Sequence, residues 1–155
     1  MLSPDFKEFI KLLNDHNVKY LIVGGYALAF HGHPRYTKDI DVWIESSMDN
    51  ADKLLKVLSD FGFESIELSS SDFLVSDNVI QLGFPPNRID ILTSVDGINF
   101  GESSSKAQVI TIDNIAIHLI GINDLITNKM ASGRLQDLAD VEKLKEILKN
   151  QEQNR

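Results

Sequence analysis

Asp39 and Asp41 stand one residue apart in the stretch Lys38-Asp39-Ile40-Asp41-Val42-Trp43-Ile44. A strand through it puts both carboxylates on one face and Ile40, Val42 and Ile44 on the other. Two ionised carboxylates about 4 Å apart repel by roughly 4 kcal/mol at an effective dielectric of 20, so the pair calls for a compensating cation. A divalent metal held by both acids is one answer, and an ordinary half-exposed strand with solvated acids is the plainer one. Two other stretches bear on the choice. Upstream, the apolar run Tyr20-Leu21-Ile22-Val23 ends in Gly24-Gly25 and is followed by Tyr26-Ala27-Leu28-Ala29-Phe30. That is the pattern of a buried strand, a tight turn and a helix start, where backbone N–H groups favour phosphate oxygens. Downstream, Arg88-Ile89-Asp90-Ile91-Leu92 reads as a strand whose carboxylate faces away from two isoleucines. Alone, Asp90 is a polar-face strand residue; beside the other two acids it becomes a candidate third ligand.

The loop His31-Gly32-His33-Pro34-Arg35-Tyr36-Thr37-Lys38 feeds directly into the paired acids. Its cations Arg35 and Lys38 either meet a triphosphate or offset the nearby aspartates. His31 and His33 have no third ligand nearby and read as loop residues rather than as a metal site. Farther on, Ile122, Leu125, Ile126 and Lys129 recur at helical spacing, which brings Lys129 out at the end of an apolar stripe. It either lays its stem over core surface with the amine in water or aims a cation into the cleft. Arg134, Asp137 and Asp140 read as an ion-pair network buttressing Lys129 rather than as a second metal site.

Taken together, Gly24-Gly25, Asp39-x-Asp41 and Asp90 resemble the motif set of the nucleotidyltransferase superfamily, the group with the DNA polymerase β type of catalytic fold. Arg35-Tyr36-Thr37-Lys38 ahead of Asp39 resembles the Arg-x-Thr-x-Asp form of small bacterial members, a branch that includes toxin/antitoxin-associated nucleotidyltransferases. The run from Lys129 to Asp140 is similar to the Lys, Arg, Asp, Asp pattern of the same branch. The likeness extends roughly from residue 20 to residue 140. It implies metal-dependent transfer of a nucleoside monophosphate from a nucleoside triphosphate such as ATP to an acceptor, with release of pyrophosphate. By the same resemblance Asp39, Asp41 and Asp90 hold Mg²⁺ or Mn²⁺, and Asp90 helps to deprotonate the acceptor. Gly24, Gly25, Arg35, Thr37 and Lys129 attend the phosphates. Gly25 departs from the pattern, standing where many members carry serine, so the turn keeps its backbone donors and loses a hydroxyl. The rival readings are a non-catalytic nucleotidyltransferase-like binding or regulatory module with a protein partner, and a phosphohydrolase using the same metals.

The elements that must position these residues are legible from patterning. The resemblance and the alternation of apolar runs with helical stretches predict an α/β fold: a mixed, twisted sheet with flanking helices and a C-terminal helix pair, in a single domain over residues 1–155. Ser3-Pro4-Asp5 starts a first helix, and Ser47 caps another, beyond the paired acids, that Gly62 ends. Hairpins are expected over 79–92 and 109–119, a short strand over Phe73-Leu74-Val75, and a mobile Gly- and Ser-rich loop from Asp96 to Ser105. The formal net charge of −8 argues against extended contact with a nucleic-acid backbone, while leaving a nucleotide open. There is no cysteine, which removes disulfides, thiolate catalysis and thiolate zinc sites. No run approaches the roughly 20 apolar residues of a membrane span, so a cytoplasmic protein with no membrane partner is expected. The acceptor, whether a small molecule, an RNA end or a protein hydroxyl, has no legible determinant.

Overall fold

A computed structural model describes residues 2–34, 36–63 and 67–154. The helices are α1 (Pro4–Asp15), α2 (Gly24–Phe30), α3 (Met48–Phe61), α4 (Phe100–Ser105), α5 (Ile122–Ser132) and α6 (Leu135–Gln153). Between them run β1 (Tyr20–Val23), β2 (Asp39–Ile44), β3 (Val79–Leu82), β4 (Arg88–Leu92), β5 (Gln108–Ile112) and β6 (Ile115–Leu119). All six strands join one sheet in the order β3-β4-β2-β1-β6-β5. It is mixed: β2 runs antiparallel to β1 and parallel to β4, β1 is parallel to β6, and the hairpins β3–β4 and β5–β6 form the two margins. The α/β class and the C-terminal helix pair are as expected. Among the described residues no helix is long and apolar enough to cross a membrane.

Local chemistry accounts for the element boundaries. The Ser3 hydroxyl accepts the Phe6 N–H at 3.2 Å and Pro4 opens α1, whose buried face is Phe6, Phe9, Ile10 and Leu13. Ser47 caps α3 in the same way, and Gly62 ends it in the left-handed region at φ 105. Phe9 and Phe61 lock α1 to α3 through an edge-on ring contact at 5.3 Å. All four residues of β1 are buried, as a central strand covered on both faces requires. In the β5–β6 turn Asp113 and Asn114 both take positive φ, at 51 and 65, the backbone twist that a two-residue hairpin demands.

Two expectations fail. Residues 73–75 are not a strand: Ser70–Phe73 form a 3₁₀ turn, because Ser69 and Asp72 cap each other reciprocally and Phe73 buries completely. The stretch from Asp96 to Ser105 is not simply a loop. Asn99 accepts the Glu102 N–H at 3.2 Å and starts α4, and Phe100 stands edge-on against Trp43 at 5.1 Å. One cap and one aromatic contact order a Ser-rich segment that lacks apolar periodicity.

Candidate active site

Strand alternation and register assemble the acids. Asp39 and Asp41 lie on the face of β2 opposite the fully buried Ile40, Val42 and Ile44. In the parallel pairing of β2 with β4, Asp41 is level with Asp90 and Asp39 is level with Arg88. Neighbouring strands run about 4.8 Å apart, so all four side chains share one patch of the sheet face. Trp43 continues that face and is sealed by Phe100, which bounds the patch on one side. On the other, Val79 and Gln81 leave the outer face of β3 exposed, level with Leu92 and Asp90.

The glycine turn closes over this patch. Val23 pairs with Asp41 across β1 and β2, so the chain leaves β1 beside the second carboxylate. Gly24 takes φ +68, and a Cβ there would overlap Oδ2 of Asp41. Only glycine lets the backbone pass so close to the acid. A Cβ on Gly25 would lie 3.1 Å from Oγ1 of Thr37, which itself donates to the Asp39 carbonyl at 3.1 Å. The Thr37 hydroxyl therefore sits against the position whose serine this chain lacks. Arg35 lies outside the described residues.

Lys129 enters the same region from α5. It is only 5% exposed, and its ammonium donates to Asp140 at 2.9 Å and to Asp137 at 3.3 Å. Arg134 donates to Asp137 at 2.8 Å and Gln136 to Asp140 at 3.0 Å, the network expected of that run. Burial pushes the Asp137 carboxyl up, but hydrogen bonds from Ser132 and Arg134 and the charge of Lys129 outweigh it and hold it below its ordinary value. Lys129 is thus a held cation whose field reaches the cleft rather than a free arm.

These elements enclose a cleft of about 670 Å³ lined by Gly24, Asp39, Asp41, Asp90, Arg88 and Lys129, with Ser94, Asp96 and Asn128 on its α5 side. Of the expected site residues within the described segments, Gly24, Lys129 and the three acids line it directly, and Gly25 and Thr37 stand against each other beside it. Burial, reinforced by the charges of Asp90 and Asp39, pushes the Asp41 carboxyl up to about 7, and Arg88 and Lys129 only partly offset this. Among the described residues no group of three or more His, Asp or Glu side chains is gathered closely enough to form a ready-made metal centre. The donors nevertheless suit a hard divalent cation, since all are carboxylate oxygens.

Arg88 is the residue that sequence reasoning passed over. Its Nη2 donates to Asp39 Oδ2 at 2.6 Å and to Asp90 Oδ2 at 3.1 Å, and its Nε donates to Asp90 Oδ1 at 3.0 Å. Period-two alternation already put it on the Asp90 face, two residues away; its place beside Asp39 depends on strand pairing that the sequence does not display.

A mixed sheet with carboxylates on two neighbouring strands and a glycine turn packed onto one of them is the arrangement that the motif resemblance implies. Residues 4–151 match the family model described as "Nucleotidyltransferase of unknown function (DUF6036)", and the chain belongs to that family. No curated protein matches it significantly. Two solved structures share the fold over nearly the whole chain. A Thermotoga maritima protein described as a candidate nucleotidyltransferase is 15% identical, with 97% of this chain and 96% of that one covered at a TM-score of 0.58. An antigenic nucleotidyltransferase-like protein from Paracoccidioides brasiliensis is 19% identical, with 99% and 90% covered at a TM-score of 0.52.

Proposed function

We propose that this protein transfers a nucleoside monophosphate from a nucleoside triphosphate to an acceptor hydroxyl or phosphate, with Mg²⁺ or Mn²⁺ held by Asp39, Asp41 and Asp90. The observation that carries the reading is convergence: three carboxylates from two strands and the Gly24 turn meet in one cleft, with Asp41 packed against Gly24 and level with Asp90. When bound, the cation neutralises charge developing on the oxygens around the transferred phosphorus. The chain does the rest. The backbone turn at Gly24 and Gly25, packed against Asp41 and Thr37, offers N–H groups to the β- and γ-phosphates, and the motif resemblance assigns Arg35 to the same phosphates. Lys129 contributes a fixed positive field from the far wall, its geometry held by Asp137 and Asp140. The acceptor oxygen forms its new bond to the α-phosphorus as the bond from that phosphorus to the α–β bridging oxygen breaks. Pyrophosphate departs, and the acceptor proton passes to a carboxylate of the cleft, for which Asp90 is the nearest candidate to the open face of β3.

Calorimetric titration of ATP, GTP, CTP and UTP, with and without Mg²⁺, into wild type and the Asp39→Asn/Asp41→Asn double variant tests this. Metal-dependent binding of at least one triphosphate, lost in the variant, is expected. No binding at millimolar concentration refutes the enzyme reading in favour of a non-catalytic module with a protein partner, and release of inorganic phosphate in place of pyrophosphate identifies a phosphohydrolase.

A further inference from the structure

The guanidinium of Arg88 occupies the space between Asp39 and Asp90, held by three hydrogen bonds of 2.6 to 3.1 Å. Stitching β2 to β4 does not require it. Those strands already pair from Asp39↔Arg88 to Trp43↔Leu92, and Ile40, Val42, Ile89 and Ile91 bury their opposite face. Nor is Arg88 locked in: its side chain remains 27% exposed and lines the cleft, so a path outward is open. A guanidinium cannot shed its proton, so the two acids can exchange it for another cation only if the side chain moves. Its planar donor fork matches a phosphate as well as it matches a carboxylate. Lys129 offers no substitute, because its ammonium is held by Asp137 and Asp140.

We propose that Arg88 is a built-in counter-ion that fills the cation position between Asp39 and Asp90 in the free protein and passes to the triphosphate when metal and nucleotide enter together. The inference rests on the nucleotidyltransferase reading above and adds a coupling to it. Metal alone must displace Arg88 and leave it without an anion, so it binds weakly. Metal accompanied by a triphosphate provides the displaced guanidinium with a new partner, so each ligand favours the other.

The test uses the full chain freed of metal, titrated with Mn²⁺ while the free ion is followed by electron paramagnetic resonance. Arg88→Gln is expected to bind Mn²⁺ at least tenfold more tightly than wild type, because nothing competes for Asp39 and Asp90. Equal or weaker binding by the variant overturns the proposal and leaves the carboxylate metal site standing. Absence of Mn²⁺ binding in both proteins overturns the two together. A second measurement on wild type holds even if the variant folds poorly. The Arg88 Nε–H resonance, assigned by its loss in Arg88→Lys, should be protected from solvent exchange in the free protein and stay so with Mg²⁺ alone. It should move when Mg²⁺ and ATP are added together; a resonance unchanged under saturating Mg²⁺ and ATP refutes the displacement.

Discussion

Asp41→Asn is expected to make the metal-free protein more stable, and the effect should grow with pH. An acid held near 7 in the fold and at 3.8 when unfolded takes up a proton on folding anywhere between those values. Stability therefore falls as pH rises through that window, and the penalty is complete above about 7. At 1.36 kcal/mol per pH unit the shift corresponds to roughly 4 kcal/mol. Asp41 is only half-buried and faces an open cleft, so solvent screening reduces this to about 2 kcal/mol. Asparagine keeps the shape and removes the charge. For a chain of this size about 2 kcal/mol corresponds to roughly 4–8 °C in Tm. Thermal melts in a chelator should show Asp41→Asn ahead of wild type by about that much at pH 8, with a gap less than half as large at pH 5. Excess Mg²⁺ should narrow the gap at pH 8 by raising only the wild type. A variant no more stable than wild type at pH 8, or a gap that does not widen from pH 5 to pH 8, refutes the claim that burial and the neighbouring acids penalise the ionised form of Asp41.

Two further substitutions probe the scaffold around the acids. Gly24→Ala places a methyl group on Oδ2 of Asp41 at φ +68, and should cost about 1–3 kcal/mol in urea unfolding while abolishing metal-dependent triphosphate binding. Gly62→Ala, at φ +105 with no atom near its Cβ, should show backbone strain alone and bind as wild type; equal binding by both variants would sink the steric argument. Lys129→Met takes the ammonium from two buried aspartates that keep only their bonds to neighbours on the α5–α6 junction, and should cost about 3 kcal/mol in urea unfolding, recovered in part by adding Asp137→Asn and Asp140→Asn. A cost below about 1 kcal/mol would mean that the network does not depend on its lysine.

The sequence alone, by apolar period and capping chemistry, determined β1, β2, the caps of α1 and α3 and the placement of Asp39 and Asp41 on one strand face. Each of these depends on neighbours a few residues away. It also drew Gly24-Gly25 and Asp90 toward a common chemistry, through motif rather than contact. The helix α4 is not legible in the sequence because its order comes from Phe100 meeting Trp43, a contact across 57 positions of chain that leaves no local period. The strand expected over 73–75 lost to the Ser69–Asp72 cap, whose geometry outweighs the β-propensity of three apolar residues.

What only the tertiary structure decided is the electrostatic state of the site. The parallel register of β2 with β4 sets Asp41 level with Asp90 and brings Arg88 to Asp39, and the packing of α5 on α6 commits Lys129 to two aspartates. Charges interact through space, and their strength follows from distance and burial rather than from separation along the chain. A motif can therefore announce which acids are present, and only the fold determines which cation each of them faces.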